Sequence, residues 1–204
     1  MISVKPLFAT PVLLSTENDP GIDMAKVESL PFRRMKNGAA DWSDSKTILG
    51  QPEFAVARKL AEQHLQTYLH ELMQISTSIA PYITSSWIVK MNPGDHGSTH
   101  HHTNSVLSGI MYLNVDRHSG NIVFSQDSLN SVIPDLFNLD IAEPNQFNSQ
   151  HWSCTPQAGM IIIFPSKLKH AVGHNQSNIT RYSLAFNSFV RGKFGSNSDI
   201  LELA

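Results

Sequence analysis

Cysteine is almost missing from this chain, with a single residue, Cys154, among 204. One cysteine excludes an internal disulfide framework and any cysteine-clustered zinc or iron–sulfur site, and it points to a reducing compartment. Long hydrophobic runs are missing as well. The strongest, Met160–Phe164, is far too short to span a bilayer. Met1–Leu14 is interrupted by Pro6 and Pro11 and makes a poor secretory signal. The Asn-x-Ser/Thr matches at Asn175 and Asn178 therefore read as chance. Charge of one sign is not in excess: 15 Lys+Arg against 17 Asp+Glu give a net −2, with no block of like charge. That argues against nucleic acid and an acidic membrane surface as partners. The expectation is a cytoplasmic protein; a homodimer is compatible with the sequence but not required by it.

Hydrophobic residues make up 41% of the chain, ordinary for a folded protein. Its length suits one domain, 1–204, which would bury roughly 70% of the surface its unfolded form exposes. Leu7–Leu14 reads as a strand, at a sheet edge because of Pro11. Ser15–Gly50 is polar and reads as loops around one short helix near Met24–Leu30. Pro52 opens the clearest helix, where Phe54, Ala57, Leu60, Ala61, Leu65, Tyr68, Leu69 and Leu72 form one apolar stripe. His64 beside that stripe reads as an ordinary helix-surface histidine.

After Pro81 the texture changes. Trp87–Met91, Val106–Asn114, Asn121–Phe124, Gly159–Phe164 and Arg181–Val190 are short β-branched or aromatic runs separated by turn residues. Strands without intervening helical periods predict a sandwich or barrel. The division is thus an N-terminal strand-and-helix support over 1–80 and a β core over 81–192. Asp127–Gln150 exceeds ordinary connections of about 4–6 residues and reads as a substrate lid.

Histidine is the outlier: ten residues, five of them between His96 and His118. In a strand, His100 and His102 share one face and His101 looks away. Two imidazoles about 7 Å apart on a strand face converge on one ion if the strand bends, and His170, after an apolar strand, is the candidate third ligand. Taken alone, the triplet reads equally well as a polar turn. Eleven residues after His170, alternation puts Arg181, Ser183, Ala185 and Asn187 on one strand face, and Tyr182, Leu184 and Phe186 on the other. The second is a normal core face. The first is an odd set to bury unless an anion pairs with the arginine, and Arg with Ser makes a good carboxylate socket. The bland alternative is a salt bridge to an internal Asp or Glu. Trp87, Trp152 and Phe164 read as core, Asn104 as a turn residue, and His96, His118, His151 and His174 as exposed.

In sequence order these residues read Pro93-Gly94-Asp95, His100-x-His102, Leu107-Ser108-Gly109-Ile110-Met111-Tyr112-Leu113, Phe164-Pro165-Ser166 with His170, then Arg181-x-Ser183. The pattern resembles the Fe(II)/2-oxoglutarate-dependent oxygenases over about Ser86–Phe189, half the chain. The resemblance implies a mainly β fold, a double-stranded β-helix of jelly-roll or cupin-like type, here with N-terminal supporting helices. It implies Fe(II), 2-oxoglutarate as co-substrate and O₂, with hydroxylase-type C–H oxidation that releases succinate and CO₂ from a small-molecule or peptide substrate. Position by position, it makes His100 and His170 iron ligands and Arg181 with Ser183 the co-substrate socket. Tyr112 stands where related members have a tyrosine holding the same carboxylate.

One position departs from the family. The usual triad is His-x-Asp/Glu…His, which leaves positions open for co-substrate and O₂; residue 102 is histidine. A three-histidine site keeps those positions open but raises the net charge of the iron centre by one. Asp95 is the fallback carboxylate. A cupin-type three-histidine enzyme without 2-oxoglutarate is the first alternative: Gly94-x5-His100-x-His102 fits the first cupin motif's opening. Its glutamate is missing at Val106 or Leu107, and ten residues separate Gly159 from His170 where two are expected. A non-catalytic β-sandwich binding module is the second alternative.

Overall fold

The computed structural model describes all residues except 1, 6, 17, 36–39, 127–140 and 197. The run Ile161–Pro165 (β9) shows how the fold is built. Ile161, Ile162, Ile163 and Phe164 are all fully buried, and alternation sends them to two different cores. Ile161 and Ile163 join Leu65, Ala61, Ile88 and Leu184, while Ile162 and Phe164 join Tyr112, Ile122 and Phe124. A continuous apolar strand with two buried faces is thus the middle layer of three.

The first layer is helical. Pro52 starts a 3₁₀ turn, Pro52–Phe54, that runs into a helix, Ala55–Gln66 (α2). Its stripe of Ala57, Ala61 and Leu65 is wholly buried. The predicted six-turn helix changes character after Gln66: residues Thr67–Leu72 form a π-helical turn. It stops at Gln74, which takes φ 51°, where the Ile75 N–H reaches the Leu69 carbonyl at 3.0 Å. His64 Nδ1 donates to the Leu60 carbonyl, 2.7 Å away, as a half-buried helix histidine.

The second layer is a large antiparallel sheet containing β9. Its other strands are Leu13–Ser15 (β1), Phe32–Arg34 (β2), Asp41–Ser43 (β3), Ala80–Met91 (β4), Leu107–Asn114 (β6), Arg181–Phe194 (β11) and Leu201–Leu203 (β12). They run in the order β1-β9-β6-β11-β4-β3-β2, with β12 on the end of β11. The third layer is a four-stranded sheet of Gly97–His100 (β5), Ile122–Ser125 (β7), His151–Cys154 (β8) and Lys169–Val172 (β10), ordered β5-β10-β7-β8. Gly109 on β6 permits one close approach: a Cβ there would land inside the Phe186 ring.

Several expectations need correction. The strand expected over Leu7–Leu14 is confined to β1, although it is a sheet edge as expected. Ser15–Gly50 holds the β2–β3 hairpin as well as the short helix Met24–Glu28 (α1). Trp152 is 53% exposed, because β8 is an edge strand with only one neighbour. His96 is half-buried, its ring 4.6 Å from that of His174. Asn104 takes φ 55°, the turn role expected of it. Residues 127–140 of the expected lid lie outside the described residues. Among the described residues, no helix is long and apolar enough to cross a membrane.

Candidate functional site

Strand pairing brings the distant histidine to the triplet. β5 and β10 run antiparallel with His100 opposite His170, and their rings lie 4.4 Å apart. β5 ends at His100, so the chain turns before His102, whose backbone N–H is held by the Ser166 carbonyl at 2.9 Å. That bend brings the His102 ring to 5.1 Å from both His100 and His170. One ligand atom from each of the three falls within 4.8 Å of the others, and among the described residues this is the group able to hold a metal ion. His101 is exposed and stands outside this group.

The outer hydrogen bonds orient two of the rings. His100 Nδ1 lies 2.8 Å from the Ser98 carbonyl and His170 Nδ1 lies 2.9 Å from the Leu168 carbonyl. A carbonyl only accepts, so each Nδ1 carries a hydrogen, which leaves Nε2 as the nitrogen available to a metal. Burial, reinforced by neighbouring imidazoles, pushes His102 down to about 3. Burial also pushes His170 down to about 4. Both imidazoles are therefore neutral near pH 7.

A second polar group lies deeper between the two sheets. Arg181 is 1% exposed and Tyr112 is 0% exposed. The guanidinium carbon sits 5.1 Å from the Tyr112 ring centre, and Ser183, also buried, pairs in register with Tyr112 across β6–β11. One guanidinium nitrogen donates to the Ser119 and Gly120 carbonyls at 3.0 and 2.7 Å. No carboxylate pairs with Arg181 among the described residues, so the internal salt bridge that would explain it away is missing. Arg181 Nε and the Tyr112 hydroxyl are both sealed from solvent without a partner. Burial lowers the Arg181 pKa and pushes Tyr112 up to about 12, so the pair stays one cation and one neutral phenol. A buried cation beside two idle donors is an environment in which a carboxylate would be stabilised.

The apolar wall between these groups is continuous. Phe164 lies 4.8 Å from the His170 ring and packs with Phe124, Ile122, Ile162 and Tyr112. Asp95 does not join the histidines. Arg34 grips it with two nitrogens at 2.6 and 2.8 Å, and it also accepts from the Asn92 N–H at 2.8 Å. The Pro93-Gly94-Asp95 element is thus a turn fastened to the β2–β3 hairpin, and the fallback carboxylate is already engaged. The other two motif serines meet each other: Ser108 and Ser166 hydroxyls are 2.8 Å apart, and Ser108 donates to Asn187 at 2.8 Å. The same Ser166 offers its carbonyl to His102, so this buried network fixes the third histidine. Sequence reasoning found these motifs but not their role.

A family model described as "Putative 2OG-Fe(II) oxygenase" matches residues 85–187, half of the chain. The chain belongs to the Fe(II)/2-oxoglutarate-dependent oxygenases. The fold agrees with that membership. An oxidoreductase of this family from Burkholderia pseudomallei superposes with a TM-score of 0.57 at 13% identity, covering 87% of this chain and 83% of its own. The α-ketoglutarate-dependent epimerase SnoN of nogalamycin biosynthesis gives 0.59 at 14%, covering 88% and 78%. HygX from Streptomyces hygroscopicus, solved with nickel and 2-oxoglutarate, gives 0.54 at 12%, covering 88% and 82%. No curated protein sequence matches the chain. The double-stranded β-helix expected for an oxygenase of this family is therefore the fold adopted, and Fe(II), 2-oxoglutarate and O₂ are its cofactor and co-substrates. The donor set fits these groups: three imidazoles for the metal, and an unneutralised arginine with idle donors for a dicarboxylate.

Proposed function

We propose that His100, His102 and His170 hold Fe(II), and that Arg181, Ser183 and Tyr112 receive the far carboxylate of 2-oxoglutarate. The observation that carries this reading is the buried, carboxylate-free Arg181, whose charge is uncompensated until an anion arrives. Bound Fe(II) supplies the oxidising chemistry: O₂ and 2-oxoglutarate are consumed, CO₂ and succinate leave, and a substrate C–H bond is oxidised.

The chain's own residues do the positioning. The Ser98 and Leu168 carbonyls hold two imidazoles in the ligating tautomer, and the Ser166 carbonyl anchors the backbone of the third. Three histidine ligands bring no negative charge, which leaves the dianionic co-substrate to balance the iron's charge, and Arg181 balances its other end. Phe124 and Phe164 keep water from the space between. The substrate is a small molecule, oxidised by hydroxylase-type chemistry. Succinate formation from 2-oxoglutarate in the absence of substrate tests the reading. Slow Fe(II)-dependent succinate release is expected from wild type and none from His170→Ala; release that survives His170→Ala would refute the ligand assignment.

A further inference from the structure

The two ends of the site differ in access. Arg181, Tyr112 and His170 are 2% exposed or less, whereas His102 is half-buried and His100 is exposed. A molecule arriving from solvent therefore meets the His100–His102 side first. The wall beside it belongs to β3 and β4, a part of the chain the iron and co-substrate do not use.

That wall is aromatic and cationic. Trp87, opposite Ala185 on the inner face of the large sheet, lies 6.0 Å from the His102 ring. Trp42, opposite Val89 on the same face, stacks on Trp87 at 5.3 Å and is half-exposed. The Lys46 ammonium stands 4.8 Å from the Trp42 ring centre and 5.8 Å from that of Trp87. Of its three N–H donors one goes to the Ser43 carbonyl at 3.0 Å, and no carboxylate reaches ion-pairing distance among the described residues. The Trp87 indole N–H is a further donor in this wall, sealed from solvent and without a partner. Leaving such a group unpaired costs about 1–3 kcal/mol, which an acceptor brought beside it would recover. Lys46 is exposed at the mouth of this wall, where partial burial lowers its pKa against the pull of Asp44.

We propose that Trp42, Trp87 and Lys46 form the subsite for the substrate that is oxidised, and that this substrate carries a flat ring and a carboxylate-type anion. The ring packs against the Trp42–Trp87 pair on the side near His102, and the anion takes the free donors of Lys46. The proposal rests on the iron and co-substrate assignments above.

The test uses protein loaded anaerobically with Fe(II) and 2-oxoglutarate, in a Trp152→Phe background so that tryptophan emission reports Trp42 and Trp87. The probes are nicotinate and its neutral counterpart nicotinamide, flat rings that do not emit where tryptophan does. Tighter quenching by the acid, about tenfold, is expected from one charge-assisted contact. Lys46→Gln should bring the ratio near one and Lys46→Arg should retain it, with the absorption of iron-bound 2-oxoglutarate unchanged in both. Equal binding of acid and amide, no binding of either, or a ratio that survives Lys46→Gln would overturn the proposal while the iron site stands. Failure of loaded wild type to develop the 2-oxoglutarate absorption would overturn the underlying reading and this proposal with it.

Discussion

Replacing Arg181 by methionine keeps most of the side chain's volume and removes a guanidinium that is 1% exposed. The loss is two charge-assisted hydrogen bonds, to the Ser119 and Gly120 carbonyls, worth about 1.5–3 kcal/mol each. The gain is release from an uncompensated buried charge, whose effective penalty is several kcal/mol. The opposing terms are of similar size, so the ligand-free variant should lie within about 2 kcal/mol of wild type. Had Arg181 been half of an internal ion pair, its removal would cost about 3–5 kcal/mol. Ligand response separates the two cases further. At 100 times its Kd, 2-oxoglutarate should stabilise wild type by about 2.7 kcal/mol. In a chain of this length that raises Tm by about 5–11 °C. Thermal melts of both proteins with anaerobic Fe(II), with and without 2-oxoglutarate, make the comparison. Methionine at 181 should abolish the rise. A ligand-free loss above about 4 kcal/mol, or a rise that persists in the variant, would refute the socket.

Other outcomes follow from the same geometry. Tyr112→Phe deletes a buried hydroxyl that has no partner, so ligand-free stability should hold or increase by about 1 kcal/mol while 2-oxoglutarate affinity falls about tenfold or more; isothermal titration and melts check both. His170→Ala should lose Fe(II) in equilibrium dialysis, whereas His101→Ala, on the exposed side, should retain it. Gly109→Ala forces a methyl against Phe186 and should cost about 1–3 kcal/mol in urea unfolding without changing the iron site's ligands. Asp95 is held below its ordinary value of 3.8, chiefly by the hydrogen bond from Arg34. Its contribution is therefore fully present above pH 3.8 and lost as pH falls through the depressed value. Since Arg34 is 48% exposed, that contribution is about 1 kcal/mol, and Asp95→Asn should flatten the acid limb of stability against pH by that amount.

How far the sequence carried the reading depended on where each element finds its partners. β9, β6, β4 and β11 were visible because their own residues bury on one or both faces. β5 (GSTH) and β10 (KHAV) carry no apolar alternation; they are strands because each offers the other a backbone edge. Their pairing nevertheless does the decisive work, placing His170 opposite His100. The hairpin β2–β3 was hidden for the same reason, and with it Trp42 and Lys46. Trp152 misled because a β-favouring aromatic does not reveal whether its strand is central or at an edge. Asp95 misled because its partner, Arg34, is 61 residues away and nothing local announces the pair. Arg181, by contrast, was legible: a fixed charge on a strand face beside a serine is costly in a core, and the cost itself pointed to an anion.

An anaerobic Fe(II) titration in the presence of 2-oxoglutarate tests the central claim most directly, because the visible charge-transfer absorption forms only when 2-oxoglutarate chelates protein-bound iron. Wild type should develop the band at one iron per chain, His102→Ala and His170→Ala should lose it, and Arg181→Met should require far more 2-oxoglutarate to reach it. Iron bound at one per chain with no response to 2-oxoglutarate, or a band indifferent to His102 and His170, would contradict the account.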